Sequence, residues 1–303
     1  MSQQPSPELA SWIADVTATS APSFGSPLPG ASTATVWPVE ADGRALVAKV
    51  FDRGVEFAGE DHVRQDVAAM NAAAEVGLDA PRVVASDPDG ERLGVPALVM
   101  TRLPGEPRPH GRPDGETWVD GLAETLIAIG EAGRPTAALP LYRSWYRAPI
   151  DVPPWTSDPG PWRAVNEVLV VRPPNGAPRF IHRDFHPFNV LWDGGRPTGT
   201  VDWVNGCLGP IESDVGTCRM NIVFSEDDHD GHALADRFLR RCLDGGLPWD
   251  PVWDLSFLAG AAHSTEVLVV GATVGARVTL DGVHRAFDRC VVAALAALEA
   301  GTD

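Results

Sequence analysis

The sequence predicts an α+β chain of two lobes, a sheet-rich first lobe over residues 1–103 and a mostly helical second over residues 104–303. Three observations carry this. Short β-branched segments surround a single helical pattern in the first hundred residues, a Pro/Gly-rich break "LPGEPRPHGRPDG" follows, and the windows after it show helical spacing. At 303 residues the chain is long enough to build two cores.

Taken in order, "SAPSFGSPLPGAS" is too rich in Pro, Gly and Ser for a regular element. "TATVWPV" and "RALVAKVF" read as strands, joined by "EADGR", whose Asp42-Gly43 pair signals a hairpin. "DHVRQDVAAMNAAAEVG" puts Val63, Val67, Met70 and Ala74 on one helical face, with Gly77 as its stop. "PRVVAS" and "VPALVMTRL" are two more strands. Beyond the break, "ETWVDGLAETLIAIGEA", "PWRAVNEVLVV", "HALADRFLRRCL", "VWDLSFLAGAAHSTEVLVVG" and "HRAFDRCVVAALAALEA" are helix candidates. Between them "NVLW", the turn "DGGRP" and "TGTVDWV" predict a hairpin.

Composition excludes several classes. A net charge of -17, from 24 basic and 41 acidic residues, disfavours nucleic acid and suits a cationic partner or plain solubility. No apolar run approaches the roughly 18 to 20 residues of a membrane span, and the start lacks a secretion signal, so the expected place is the cytoplasm. Cys207, Cys218, Cys242 and Cys290 lack CxxC spacing and read as free thiols.

The segment "RFIHRDFHPFNVLWDGGRPTGTVDWVNGCLGPIESDVG" mixes Asp, His and Asn with apolar residues, where a plain core would exclude them. Pro187 keeps Asp184 and Asn189 on a loop, and the hairpin returns Asp202 toward Asn189. One carboxylate is then available to orient or deprotonate a hydroxyl, and an amide plus a second carboxylate to hold Mg²⁺, which needs few protein ligands. This layout suits phosphoryl transfer. A metal-hydrolase reading of His182, His186 and Asp184 lacks the further ligands such sites require.

These motifs resemble the aminoglycoside phosphotransferase and choline kinase family, small-molecule kinases with a two-lobed protein-kinase-like fold. "IHRDFHPFNVLW" is similar to the family's catalytic loop H-G-D-x-H-x-x-N, "GTVDW" to its metal strand and "GPIESDVG" to its "GDPAYDLA". The resemblance implies Asp184 as catalytic base, Asn189 and Asp202 as Mg²⁺ ligands, and His182 and Asp214 as groups bracing the loop. In the first lobe it implies Lys49 on the phosphates, Gly30 to Ser32 covering them, and Met100, Thr101 and Leu103 around the adenine. It covers residues 28–219, about two thirds of the chain.

Three departures stand out. The Glu that pairs the Lys is missing, leaving Asp66 or Glu60 for the role; Arg183 replaces a Gly; Pro210 replaces an Asp. The expected activity is ATP-dependent phosphorylation of a hydroxyl on a small, aminoglycoside-like or metabolite acceptor, with GTP as the alternative nucleotide. A nucleotide-binding pseudokinase is the rival from another class. "SEDDHDGH" reads as a helix cap, and "YRSWYR" as surface packing.

Overall fold

A Ser-Pro pair starts the first helix. In this computed structural model, which describes residues 4–29, 34–51, 60–107, 115–225, 228–265 and 279–300, the Ser6 hydroxyl accepts the Leu9 N–H at 3.1 Å and Pro7 opens α1 (Pro7–Thr17). Leu9, Trp12 and Ile13 recur at helical spacing and pack on Trp37, Leu46, Ala48 and Val99 of the sheet. The sequence reading placed no element here. An 11-residue helix carries too short a stripe to stand out, and its stability comes from the sheet it covers.

That sheet holds β1 (Ser23–Phe24), β2 (Ala34–Ala41), β3 (Arg44–Phe51), β4 (Val83–Asp87) and β5 (Ala97–Thr101), in the order β1-β2-β3-β5-β4 with every pairing antiparallel. Asp42 (φ 51°) and Gly43 (φ 74°) form the two-residue turn between β2 and β3, as the Asp-Gly pair predicts. Because side chains alternate along a strand, Leu46 and Ala48 face α1 while Lys49 points from the other face. There stands α2 (Glu60–Glu75), closed by Gly77 at φ 81° with Leu78 N–H bonded to Ala73 C=O at 2.9 Å. Its buried stripe includes Val63, Asp66, Ala69 and Met70, so a carboxylate occupies an otherwise apolar face.

Further along, β6 (Glu106–Pro107), β8 (Val190–Asp193) and β9 (Arg196–Thr200) form a small sheet. Gly194 and Gly195, both at positive φ, turn β8 into β9. A second pair, β7 (Arg179–Ile181) and β10 (Cys207–Gly209), is antiparallel with Ile181 opposite Cys207. The helices are α3 (Gly115–Glu131), α4 (Pro159–Val171), α5 (Glu212–Ser225), α6 (Asp228–Asp244), α7 (Val252–Ala261) and α8 (Leu280–Ala300). Periodicity misses α5, which is buried almost all round and carries Asp214, Thr217 and Asn221 in place of an exposed polar face.

The chain groups into two units: Met1–Gly105 with Pro135–Leu139 and Thr198–Gly206, and the remainder. The sequence reading drew residues 198–206 with the second lobe; the end of β9 and the Asp202 turn group with the first. All four cysteines are free and buried. Among the described residues no helix is long and apolar enough to cross a membrane.

Candidate active site

Lys49 stands on β3 between Val36 of β2 and Leu98 of β5. Its Nζ meets Asp66 Oδ2 at 3.1 Å and Asp202 Oδ1 at 2.7 Å. The Lys49 and Asp66 side chains are 9% and 2% exposed, against 44% for Asp202. Burial disfavours the ammonium, but the two carboxylates outweigh it and hold the Lys49 pKa above its ordinary value. Burial likewise pushes Asp66 up, Lys49 pulls it down, and the like charge of Asp202 adds to the rise. Lys49 therefore keeps its charge, while Asp66 Oδ1 stays buried without a hydrogen-bond partner. Of the two acids named for Lys49, Asp66 is the one in contact; the Glu60 side chain lies outside the described residues.

Asp202, two residues past the end of β9, adopts φ 63° and ψ 58°, a left-handed backbone that costs a residue with a Cβ on the order of 1 kcal/mol. Two contacts hold the turn that follows. Trp203 Nε1 donates to Thr200 C=O at 3.0 Å, and a Cβ at Gly206 would lie 2.6 Å from the Ala69 Cβ of α2. The turn and the helix bearing Asp66 are thereby packed together, which brings both carboxylates to one ammonium.

Met100 and Thr101 end β5, half-buried, and Leu103 follows. The Thr101 N–H donates to Arg82 C=O and its hydroxyl accepts the Arg82 N–H, each at 2.8 Å, which secures the strand end. Gly30 and Ser32 lie outside the described residues.

The loop between β7 and β8 is organised from below by Asp214 in the first turn of α5. Asp214 is fully buried, and its carboxylate accepts the N–H groups of His182 at 2.9 Å, Arg183 at 3.1 Å and Phe185 at 3.4 Å. Burial pushes its carboxyl up to about 7 against the pull of those N–H groups. His182 is fully buried too. Asp184 keeps its side chain 33% exposed.

Behind Asp184, the single turn Pro187–Asn189 is capped by His186, whose Nδ1 accepts the Phe188 N–H at 3.2 Å. The other ring nitrogen, Nε2, lies 3.1 Å from Asn189 Nδ2 and 3.8 Å from Asp184 Oδ1. Asn189 is buried and donates through Nδ2 to Asp184 C=O at 3.0 Å. That bond spends Nδ2 on the loop and leaves Oδ1 as an acceptor. An amide oxygen such as Asn189 Oδ1 and a carboxylate such as that of Asp202 are each hard donors of the kind Mg²⁺ takes. Among the described residues no group of three or more His, Cys, Asp or Glu gathers as a metal site.

Sequence reasoning missed the side-chain role of Arg183. It adopts φ 67°, where glycine is at ease, and its guanidinium lies 3.8 Å from the centre of the Trp145 ring. The signal was available as an Arg at a loop position where glycine is usual.

The sequence model of the phosphotransferase enzyme family matches residues 25–253. An aminoglycoside 3'-phosphotransferase of Streptomyces ribosidificus is 26% identical over 229 residues, 70% of this chain and 85% of that protein. An N-acetylmuramate/N-acetylglucosamine kinase of Pseudomonas aeruginosa is 26% identical over 118 residues, 37% of this chain and 34% of that kinase. In fold the chain is similar to the crystal structure of aminoglycoside phosphotransferase APH(4)-Ia, with TM-score 0.63 at 17% identity over 95% of this chain and 98% of the other. A ternary complex of a thermostable mutant of that enzyme with ADP and hygromycin B gives TM-score 0.61 at 16% identity, over the same shares of each chain. With the family pattern running through β3, the Asp184 loop, the Asp202 turn and α5, the chain belongs to the phosphotransferase enzyme family.

Proposed function

We propose that the chain is an ATP-dependent O-phosphotransferase that moves the γ-phosphoryl group to a hydroxyl of a small molecule. The observation that carries this reading is the Asp184 loop: Asp214 absorbs its N–H groups and Asn189 its carbonyl, while the Asp184 carboxylate is left accessible. Asp184 accepts a hydrogen bond from the acceptor hydroxyl and aligns its oxygen for attack. Lys49, kept charged, binds phosphate oxygens, with Gly30 and Ser32 covering them and Met100, Thr101 and Leu103 around the base. Asn189 and Asp202 would hold Mg²⁺, whose chemistry is to neutralise the phosphate charge. Positioning and charge neutralisation do most of the work, since the transition state is loose.

The Streptomyces relative's name supports an aminoglycoside-like acceptor and the Pseudomonas relative's name a sugar. ADP seen in the complex of a fold neighbour supports an adenine nucleotide, with GTP as the competitor to test. The pseudokinase alternative rests on Asp66 in place of Glu and on the departure of the Gly30 to Ser32 loop from the family pattern; Asp66 reaches Lys49, and the loop lies outside the described residues. The test is Mg²⁺-dependent ADP release over a panel of aminoglycosides, sugars, choline and amino-alcohols, with Asp184→Ala as control. Stimulation by one class, lost in the variant, supports the reading. Nucleotide binding with no ADP release for any acceptor would transfer the case to the pseudokinase.

A further inference from the structure

Arg183 precedes Asp184 and pays a conformational cost that glycine would not, because its φ of 67° is left-handed. Its side chain shows what the residue is for. The guanidinium lies 3.8 Å from the Trp145 ring centre and 5.7 Å from that of Tyr142, and Nη2 donates to Arg143 C=O at 2.6 Å. Nε is buried without a hydrogen-bond partner, so stacking, together with that one bond, holds the group.

The segment it grips is built to be gripped. Tyr142 N–H donates to Leu208 C=O at 2.9 Å, tying the segment's start to β10. Gly209 and Gly260 leave room for it: a Cβ there would fall 2.5 Å from the Tyr142 Cβ and 2.6 Å from the Trp145 Cβ. Even so, Trp145 is 48% exposed. Trp145 thus offers a large aromatic face pinned at one side by the residue that precedes Asp184 and open elsewhere, a surface for a ligand. Residues 141–151 hold Arg143 and Arg147 against one carboxylate, Asp151, all exposed, so the segment is net positive within a chain of net charge -17. Local positive charge repels a polycation.

We propose that Arg183 is a positioning residue that staples residues 142–147 to the catalytic loop, making them an acceptor-side wall for a neutral or anionic hydroxylated ring. The wall rests on the phosphotransferase reading above; the staple does not. Amide hydrogen exchange of the full-length protein tests the staple without any acceptor. Arg183→Gly should speed exchange across residues 142–147 by about tenfold or more, and Arg183→Lys should do the same, since a lysine keeps the charge but not the planar stack. Unchanged exchange in both variants overturns the staple.

The wall is tested with acceptor pairs that differ only in charge, glucosamine against N-acetylglucosamine and an aminoglycoside against its N-acetylated form. ADP release should favour the acetylated member, and Arg183→Gly should raise its KM by roughly tenfold, more than it lowers kcat, with the nucleotide KM unmoved. Preference for the polycation overturns the acceptor class. Absence of ADP release with every acceptor, while Mg-ATP binds, sinks the phosphotransferase reading and the wall together, and the exchange result still decides the staple.

Discussion

Asp66 and Asp214 are both carboxylates on helices, 1% and 0% exposed, yet they are satisfied in opposite ways. Asp66 meets a cation, Lys49, at 3.1 Å, whereas Asp214 meets only backbone N–H groups. A cation pair makes a charge centre that can trade partners, and Lys49 already divides itself between Asp66 and Asp202. Backbone N–H groups make a scaffold, because moving the carboxylate would move the loop. The first region is suited to binding phosphate by charge, the second to placing Asp184 by geometry.

The largest effect sharpens the scaffold side. Asp184→Ala should lower the phosphorylation rate by roughly 10²- to 10⁴-fold while leaving thermal stability nearly unchanged, because Asp184 is held by the loop and does not hold it. Kinetics and a melting curve on the same preparation check both halves.

Next comes the charge side. Lys49→Met strands Asp66 in the interior and should cost about 3–5 kcal/mol in urea unfolding, as for any broken buried pair. Asp66→Ala leaves Lys49 with Asp202 and should cost less. Equal losses would break the distinction drawn here.

For Asp214, burial raises the carboxyl from 3.8 to about 7 in the folded chain. The folded state then holds a proton that the unfolded state releases between those values, so this group's contribution is full below about 3.8 and declines as pH rises to about 7. Asp214→Asn should remove that slope from the stability profile and cost about 1–3 kcal/mol through imperfectly satisfied N–H groups. Melting temperatures of both proteins from pH 4 to 8 give the comparison. The smallest effect is expected at Arg64, whose guanidinium meets both oxygens of Asp89 at 2.6 and 2.8 Å with both side chains nearly half exposed. Arg64→Ala should change stability by no more than about 1 kcal/mol and fade in salt.

Local signals were enough to determine β2, β3, β4, β5, β8 and β9, the Asp42-Gly43 turn, the stop of α2 at Gly77 and the spacing of Asp184, Asn189 and Asp202, because each follows from backbone preference or period within a few residues, whereas β1 and β6 lie in Pro/Gly-rich stretches read as irregular. Local signals also marked Arg183 as an oddity without saying why. Only the tertiary structure decided the rest. It chose Asp66 for Lys49, since α2 turns that carboxylate inward beside β3; it joined the Asp202 turn to the first unit through Gly206 against Ala69; and it made α5 a buried helix with no polar face to announce it. It also brought Trp145 under Arg183 from 38 positions away. In each case the deciding energy is a contact between residues distant in the chain, burial or charge pairing, which no local window contains.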